Sequence, residues 1–207
     1  MEYLSLGIAV ILSMSFHELA HGVVSYWFGD PTPKLEGRLT LNPLRHIDWM
    51  GLLCLLIFRF GWAKPVPVNA RYYKHPKTGM IWTAFAGPMA NFILAFVSLF
   101  LVCLIYKLNV SGPIALPLTG ICMDTALISI GFGIFNLLPI PPLDGSKVFW
   151  GFLPDDEYFS IIQYNSPVIT LIFFALLYMG FIIRPLTFFQ NTIFQAMFDF
   201  WRMIFGI

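Results

Sequence analysis

Residues 80–106 carry no charged side chain, and this stretch constrains the fold more than any other feature of the sequence. About 20 apolar residues are enough for a helix to cross the hydrocarbon core of a bilayer. The whole chain is 58% hydrophobic and 11% charged, compared with about 45–50% and about 25% in soluble domains. The sequence therefore predicts a membrane protein whose surface largely faces lipid.

Three other stretches are apolar enough to form spans. Residues 3–28 are apolar apart from one polar cluster, and residues 166–183 form a further apolar run. Residues 121–138 are followed by Pro139, where the helix must break because proline has no backbone N–H to donate. We predict an all-α polytopic membrane protein with spans at 3–28, 80–106, 121–138 and 166–183.

The loop between the first two spans is strongly basic. It holds eight Lys and Arg residues and only three acidic ones. Because basic loops stay in the cytoplasm, this loop is predicted to be inside and the N-terminus outside, with spans 1 and 3 parallel. Within the loop, residues 51–58 are apolar but too short to span, which suggests a re-entrant piece, and residues 39–41 resemble a short strand.

We treat residues 1–207 as one membrane domain, with a core over about residues 3–153 that includes an extension of the third span beyond its proline break. The tail at 186–207 is predicted to be an amphipathic helix with one polar stripe. Its favoured placement is the headgroup plane, and the alternative is a fifth span that uses the stripe inside a bundle or an oligomer. The stripe consists of Thr187, Asn191, Gln195, Asp199 and Arg202.

The polar cluster in the first span has the pattern H-E-x-x-H, formed by His17, Glu18 and His21. On a helix this spacing puts two imidazoles on one face with a carboxylate beside them, an arrangement that binds zinc and supplies a general base. Ionisable groups inside a membrane are costly and usually functional. With about ten residues between Glu18 and the cytoplasmic end, the site is expected roughly 15 Å inside that end.

A catalytic zinc ion takes three protein ligands and leaves a fourth position for water, so two histidines do not complete the site. Asp144 follows the proline break, where irregular backbone can direct a carboxylate sideways into a cavity. Asp124 lies at the opposite end of span 3, where a helix-start role is the simpler interpretation. The residue types alone leave the third ligand open among Asp124, Asp144, His46, His75, Cys54, Cys103 and Cys122.

Three motifs together resemble the site-2 protease family of intramembrane zinc metalloproteases. They are H-E-x-x-H in the first core helix, A-G-P-M-A-N at residues 86–91 in the second, and N-L-L-P-I-P-P-L-D-G at residues 136–145 in the third. Segments 37–43 and 60–69 also resemble stretches that many microbial members carry between the first two core helices. The resemblance covers roughly residues 10–150, close to a minimal core of the family.

The resemblance implies that His17, His21 and Asp144 hold one zinc ion per chain and that Glu18 activates the water. It further implies that Asn136 helps to bind the substrate backbone or to stabilise the intermediate, and that Asn91 has a structural role or lies on the substrate path. The expected function is cleavage of transmembrane segments of membrane proteins, in the cell membrane of a microbe, with the active site toward the cytoplasm. Control would fall to an accessory membrane protein or to prior trimming of the substrate.

Two other functions remain open at this point. A protein of the same fold could bind helices or metal without cutting, although a pure metal binder would not need Glu18. An ion transporter could also use intramembrane histidine and aspartate, but these groups gather at one depth and do not step across the bilayer. The net charge of +1 gives no strongly basic face for nucleic acid, and three cysteines in apolar runs predict no disulfide framework. The sequence leaves the oligomeric state undetermined.

Overall fold

The computed structural model describes residues 2–46, 48–58, 64–163, 172–173, 175–177 and 179–207. Within these residues the regular structure is entirely helical. The helices are α1 Glu2–Trp27, α2 Thr32–Leu35, α3 Trp49–Phe58, α4 Pro76–Lys107, α5 Ala115–Asn136, α6 Asp144–Phe149, α7 Asp155–Gln163 and α8 Ile183–Phe205. Part of the predicted span at 166–183, namely residues 166–171, 174 and 178, lies outside the described residues.

Three of the helices are long and apolar enough to cross a membrane, namely α1, α4 and α5. They correspond to the predicted spans at 3–28, 80–106 and 121–138, so the chain is an all-α polytopic membrane protein. α5 begins earlier than expected, at Ala115. Pro117 in its first turn fits this start, because the backbone N–H groups of a first turn have no partner within the helix and proline has none to donate. Large apolar side chains on all three helices are exposed, including Leu4, Ile93 and Leu116.

Side-chain contacts fix the relative direction of the three spans. Ser5 near the start of α1 donates to Asp124 in the first half of α5, and further along both helices the Ser13 and Ser129 hydroxyls are 2.7 Å apart. These two helices therefore run parallel. α4 runs the other way, since its first half contacts the second half of α1. Parallel spans 1 and 3 are the arrangement that the loop charges require.

α8 packs lengthwise on the bundle formed by α4 and α5. Its Trp201 indole donates to the Phe96 carbonyl of α4 at 3.0 Å, and its Phe194 packs against a core of small and branched residues from α4 and α5. The predicted polar stripe lies on the exposed side of α8. The aromatic face opposite the stripe packs against α4 and α5. This contact agrees with the alternative in which the tail is part of a helix bundle.

The described residues of the loop between α1 and α4 form no strand. The apolar segment at 51–58, predicted to be re-entrant, belongs to the ten-residue helix α3. Residues 39–40 form a bend and residue 41 is irregular, so the short strand predicted at 39–41 is not present. Later in the loop, residues 64–69 form no helix and lie beside α1. We call this segment the strap.

Candidate metal centre

His17 and His21 lie one helical turn apart on the buried face of α1. Their Nε2 atoms are 3.0 Å apart, and both side chains are almost completely buried. The i, i+4 spacing brings the two rings onto one face because a helix has 3.6 residues per turn. α1 thus supplies two imidazole nitrogens directed to the same point.

Asp144 reaches the same point from the break after α5. The chain turns through its proline-rich segment and restarts as α6, of which Asp144 is the first residue. Its Oδ2 atom lies 3.1 Å from Nε2 of His17 and 3.1 Å from Nε2 of His21. The other carboxylate oxygen is 3.3 Å from the ammonium of Lys147, one turn along α6. This leaves Oδ2 facing the histidines.

Among the described residues, His17, His21 and Asp144 are the group of His, Cys, Asp and Glu side chains that could hold a metal ion. Their three ligand atoms form a nearly equilateral triangle with sides of 3.0–3.1 Å. Ligands at about 2.0–2.2 Å from a tetrahedral zinc ion lie roughly 3.3–3.6 Å apart. Two imidazoles and one carboxylate are a ligand set that catalytic zinc uses, so the chemistry fits zinc, and the triangle is a few tenths of an ångström tighter than the tetrahedral spacing.

The backbone of α4 orients His21. The Nδ1 atom of His21 lies 2.6 Å from the carbonyl oxygen of Thr83, so Nδ1 carries the proton and donates it. Nε2 is then left with its lone pair directed at the other ligand atoms. Metal-binding histidines commonly have such a partner on the second nitrogen, which fixes the tautomer and the ring orientation.

Asn91 holds the corresponding position beside His17. Its amide nitrogen lies 3.2 Å from Nδ1 of His17, which leaves the buried Oδ1 atom without a hydrogen-bond partner. The two ends of an amide are assigned from the hydrogen-bond network. Turning the Asn91 amide over lets Oδ1 accept from Nδ1–H of His17. This pairing satisfies the buried oxygen and leaves Nε2 of His17 free to bind metal.

The Asn91 contact gives a testable expectation for metal affinity. Asn91→Leu removes the acceptor for His17 and should weaken zinc binding by about 10–100-fold, the usual effect of losing such a partner. Asn91→Asp keeps an acceptor and should bind zinc far better than the leucine variant. Chelator competition on purified protein measures both affinities. Equal affinity in the wild type and in Asn91→Leu would exclude this role for Asn91.

Two glycines allow the helices to approach this closely. A Cβ atom on Gly87 of α4 would lie 2.5 Å from Nε2 of His21 and 2.7 Å from the His17 ring. A Cβ atom on Gly145 would lie 2.2 Å from the carbonyl group of Leu137 at the end of α5. Any other residue at these two positions would push α4 or α6 away from the ligands.

Glu18 extends from α1 toward the strap. Its Oε2 atom accepts a hydrogen bond of 2.9 Å from the backbone N–H of Val66. As the neighbour of His17, it places a carboxylate directly next to a candidate ligand. A carboxylate held beside a metal site can act as a general base.

The remaining candidates lie apart from the triangle. Asn136 ends α5, and its amide donates to the Phe132 carbonyl within its own helix. Asp124 accepts from Ser5 at the other end of the bundle. His46 contacts the carbonyl of Thr40 in the loop. Neither His75 nor any of the three cysteines belongs to the metal-binding group found among the described residues.

Three contacts at the site were not anticipated from the sequence. The Thr83 carbonyl and the Val66 N–H are backbone groups, which carry no side-chain signature. Lys147 was detectable in principle, because it lies three residues after Asp144 and residues i and i+3 are neighbours on a helix.

The fold and the site together define a membrane-embedded metal-dependent hydrolase, with three metal ligands and a neighbouring carboxylate. Residues 5–180 match the sequence model of peptidase family M50, and the chain belongs to this family of site-2 proteases. The resemblance of the three motifs is thereby confirmed.

Similar proteins carry corresponding names. "Putative zinc metalloprotease YwhC" of Bacillus subtilis (strain 168) is 40% identical over 162 residues, which is 77% of this chain and 74% of the relative. "Putative zinc metalloprotease Rip2" of Mycobacterium tuberculosis (strain H37Rv) is 33% identical over 144 residues, 65% of this chain and 52% of the relative. The chain thus matches about half the length of Rip2. No solved structure matches the chain.

The family and the names of its relatives support a zinc metalloprotease of the site-2 type. They favour a metalloprotease over the non-proteolytic and transporter alternatives. Zinc is the implied metal, in agreement with the ligand set of the triangle.

Proposed function

We propose that this chain is an intramembrane endopeptidase that hydrolyses peptide bonds within transmembrane segments of other membrane proteins. The observation that carries the proposal is the depth of the triangle. Glu18 lies nine residues before the end of α1 at Trp27, or about 14 Å along the helix axis. All three helices around the site are long and apolar enough to span a bilayer.

In the proposed mechanism His17, His21 and Asp144 hold one zinc ion per chain. Zinc supplies Lewis-acid polarisation of the scissile carbonyl and acidifies water. Glu18 takes a proton from the attacking water as the new C–O bond forms, and returns it to the nitrogen as the C–N bond breaks. Its contact with the Val66 N–H keeps one carboxylate oxygen fixed during both transfers.

The other residues orient these groups. Thr83 and Asn91 hold the two imidazoles, and Lys147 binds the second oxygen of Asp144. Asn136 is assigned to the substrate backbone or to the oxyanion. Its side chain is only slightly exposed at the C-terminal end of α5, the end that leads to Asp144, and this location supports the assignment.

The direct test uses membranes of the source cell. Cells that contain the wild-type protein are compared with cells that contain Glu18→Gln, and new protein termini are sequenced by mass spectrometry. We expect termini that appear only with the wild type and that fall within transmembrane segments. If all such termini lie in water-exposed segments, the enzyme is a membrane-bound protease that cuts outside the bilayer.

The proposed orientation places the N-terminus outside and the active site toward the cytoplasm of a microbial cell membrane. Single cysteines at Lys74 and Lys107, in a chain whose own cysteines are replaced by alanine, test it with a membrane-impermeant thiol reagent on intact cells. Only the cysteine at 107 should react. The reverse result would mean that the site opens toward the outer face.

A further inference from the structure

The strap, residues 64–69, is the part of the loop between α1 and α4 that contacts Glu18. Its Val66 N–H donates to the Glu18 carboxylate at 2.9 Å, and the Val66 side chain is buried. A Cβ atom on Gly22, one turn after Glu18, would lie 3.3 Å from Val66. The strap therefore lies directly against the part of α1 that bears the metal ligands.

Arg38 anchors the beginning of the strap. Its guanidinium donates to the carbonyl oxygens of Lys64 at 3.1 Å and Pro65 at 2.8 Å. Arg38 is only 4% exposed, and no carboxylate is paired with it among the described residues. Burying an arginine is costly unless its donors are used. Here two hydrogen bonds from Nη2 fix the two carbonyls that immediately precede the Val66 N–H, while the buried Nε atom has no partner.

Asp30 anchors the other end. It is completely buried, and its carboxylate accepts from the backbone N–H groups of Asn69 at 2.7 Å and Thr32 at 2.9 Å, and from the Ser25 hydroxyl at 2.9 Å. Burial by itself would raise the pKa of Asp30, but the hydrogen bonds from Thr32, Asn69 and Ser25 outweigh it and hold the pKa below its ordinary value. Asp30 is thus a carboxylate at neutral pH.

A chain of hydroxyl groups connects Asp30 to α4. The Ser25 hydroxyl lies 2.7 Å from the Tyr73 hydroxyl, which in turn lies 3.1 Å from the Thr83 hydroxyl. Thr83 is the residue whose carbonyl accepts from His21. One buried network therefore joins the strap, α1 and the backbone that orients a metal ligand.

We propose that Asp30 and Arg38 are positioning residues of the protease, which hold the strap so that the Val66 N–H fixes the carboxylate of Glu18 for proton transfer. The inference rests on the proposed function, because it takes Glu18 as the base. Neither residue touches the substrate or the reacting atoms. They act through the strap, and displacement of a catalytic group by about 1 Å can lower the rate by about 100-fold.

The test compares Asp30→Asn and Arg38→Met with the wild type in cleavage of one transmembrane substrate from the membrane comparison above. Both variants should retain about one zinc ion per chain and the wild-type KM, while kcat falls by about tenfold or more. Arg38→Lys keeps a donor and a charge, and should recover a large part of the activity that Arg38→Met loses. This pattern separates positioning from a general loss of folding.

A second readout does not depend on activity. The chain's own cysteines are replaced by alanine, and a single cysteine is placed at Val66. Because the side chain at this position of the strap is buried, the cysteine should react slowly with a thiol reagent. Adding Asp30→Asn or Arg38→Met should speed this reaction several-fold, since the strap loses an anchor. The matched controls are Asp48→Asn and Arg45→Gln. Asp48 also accepts a backbone N–H in this loop, from Gly51, and Arg45 is an exposed arginine.

The outcomes are distinct. Normal kcat in both anchor variants overturns the proposal, and so does loss of zinc in parallel with loss of activity, because the anchors would then only maintain the fold. The proposal is also overturned if Asp48→Asn and Arg45→Gln lower kcat as much as the anchor variants do. Failure of the proposed function looks different: Glu18→Gln would then cleave at the normal rate, whatever the anchor variants do.

Discussion

Glu18→Gln is expected to slow cleavage by about 10²–10⁴-fold while leaving zinc binding intact. The substituted glutamine has nearly the same size as the glutamate, and its amide oxygen can still accept from the Val66 N–H, so the surroundings of the site are preserved. The amide cannot take up the proton of the attacking water. General acid–base catalysis contributes about 10²–10⁴-fold, and we expect a loss in this range in the rate of substrate cleavage.

The measurement combines zinc content, determined on purified protein, with single-turnover cleavage of a transmembrane substrate. Glu36→Gln is the matched control, because Glu36 is exposed in the loop after α2 and this variant should behave as the wild type. A normal rate in Glu18→Gln would mean that another group is the base. Loss of zinc in this variant would mean that Glu18 is needed to maintain the ligand geometry.

The helical spacing of the first motif predicted two of the three residues of the triangle. His17 and His21 meet because residues four apart share a helix face, a local property that depends on no other part of the chain. The proline break before Asp144 suggested how a third ligand could turn inward, but residue types left seven candidates. The parallel packing of α1 and α5 is a tertiary feature, and it brings only Asp144 of these candidates to the histidines among the described residues.

The loop between α1 and α4 shows where prediction from sequence fails. The strap acts through backbone groups, and the carbonyls of Lys64 and Pro65 look like any others in a sequence. Asp30 and Arg38 were counted only as loop charges, yet both are buried. Their partners in the strap lie 26–39 residues away, and such pairings depend on the path of the whole loop.

Asn91 and α8 illustrate the effect of tertiary context. For Asn91 the sequence left a structural role and a place on the substrate path open, and its contact with His17 supports an orienting role. The sequence predicted an amphipathic tail, but a polar stripe does not determine what covers the opposite face. In the structure that face, with Trp201, packs on α4.

Asp144→Ala should remove most of the bound zinc and with it all measurable cleavage. Structural zinc sites with four ligands bind with about 10–16 kcal/mol, so one ligand contributes about 3 kcal/mol, or roughly a hundredfold in affinity. The loss also frees Lys147, which would then place an unpaired positive charge near the two histidines and weaken cation binding further. Zinc content after dialysis against a weak chelator measures the effect.

Asp124→Ala is the matched control for this experiment. Asp124 is also an aspartate of the third core helix region, but it contacts Ser5 at the far end of the bundle, so this variant should keep its zinc. Asp144→Asn provides a second comparison, because the amide oxygen is a weaker ligand and the amide cannot carry the charge that neutralises the metal. We expect its affinity to lie between the alanine variant and the wild type. Full zinc occupancy in Asp144→Ala would exclude Asp144 as the third zinc ligand. The described residues offer no other His, Cys, Asp or Glu side chain that groups with His17 and His21.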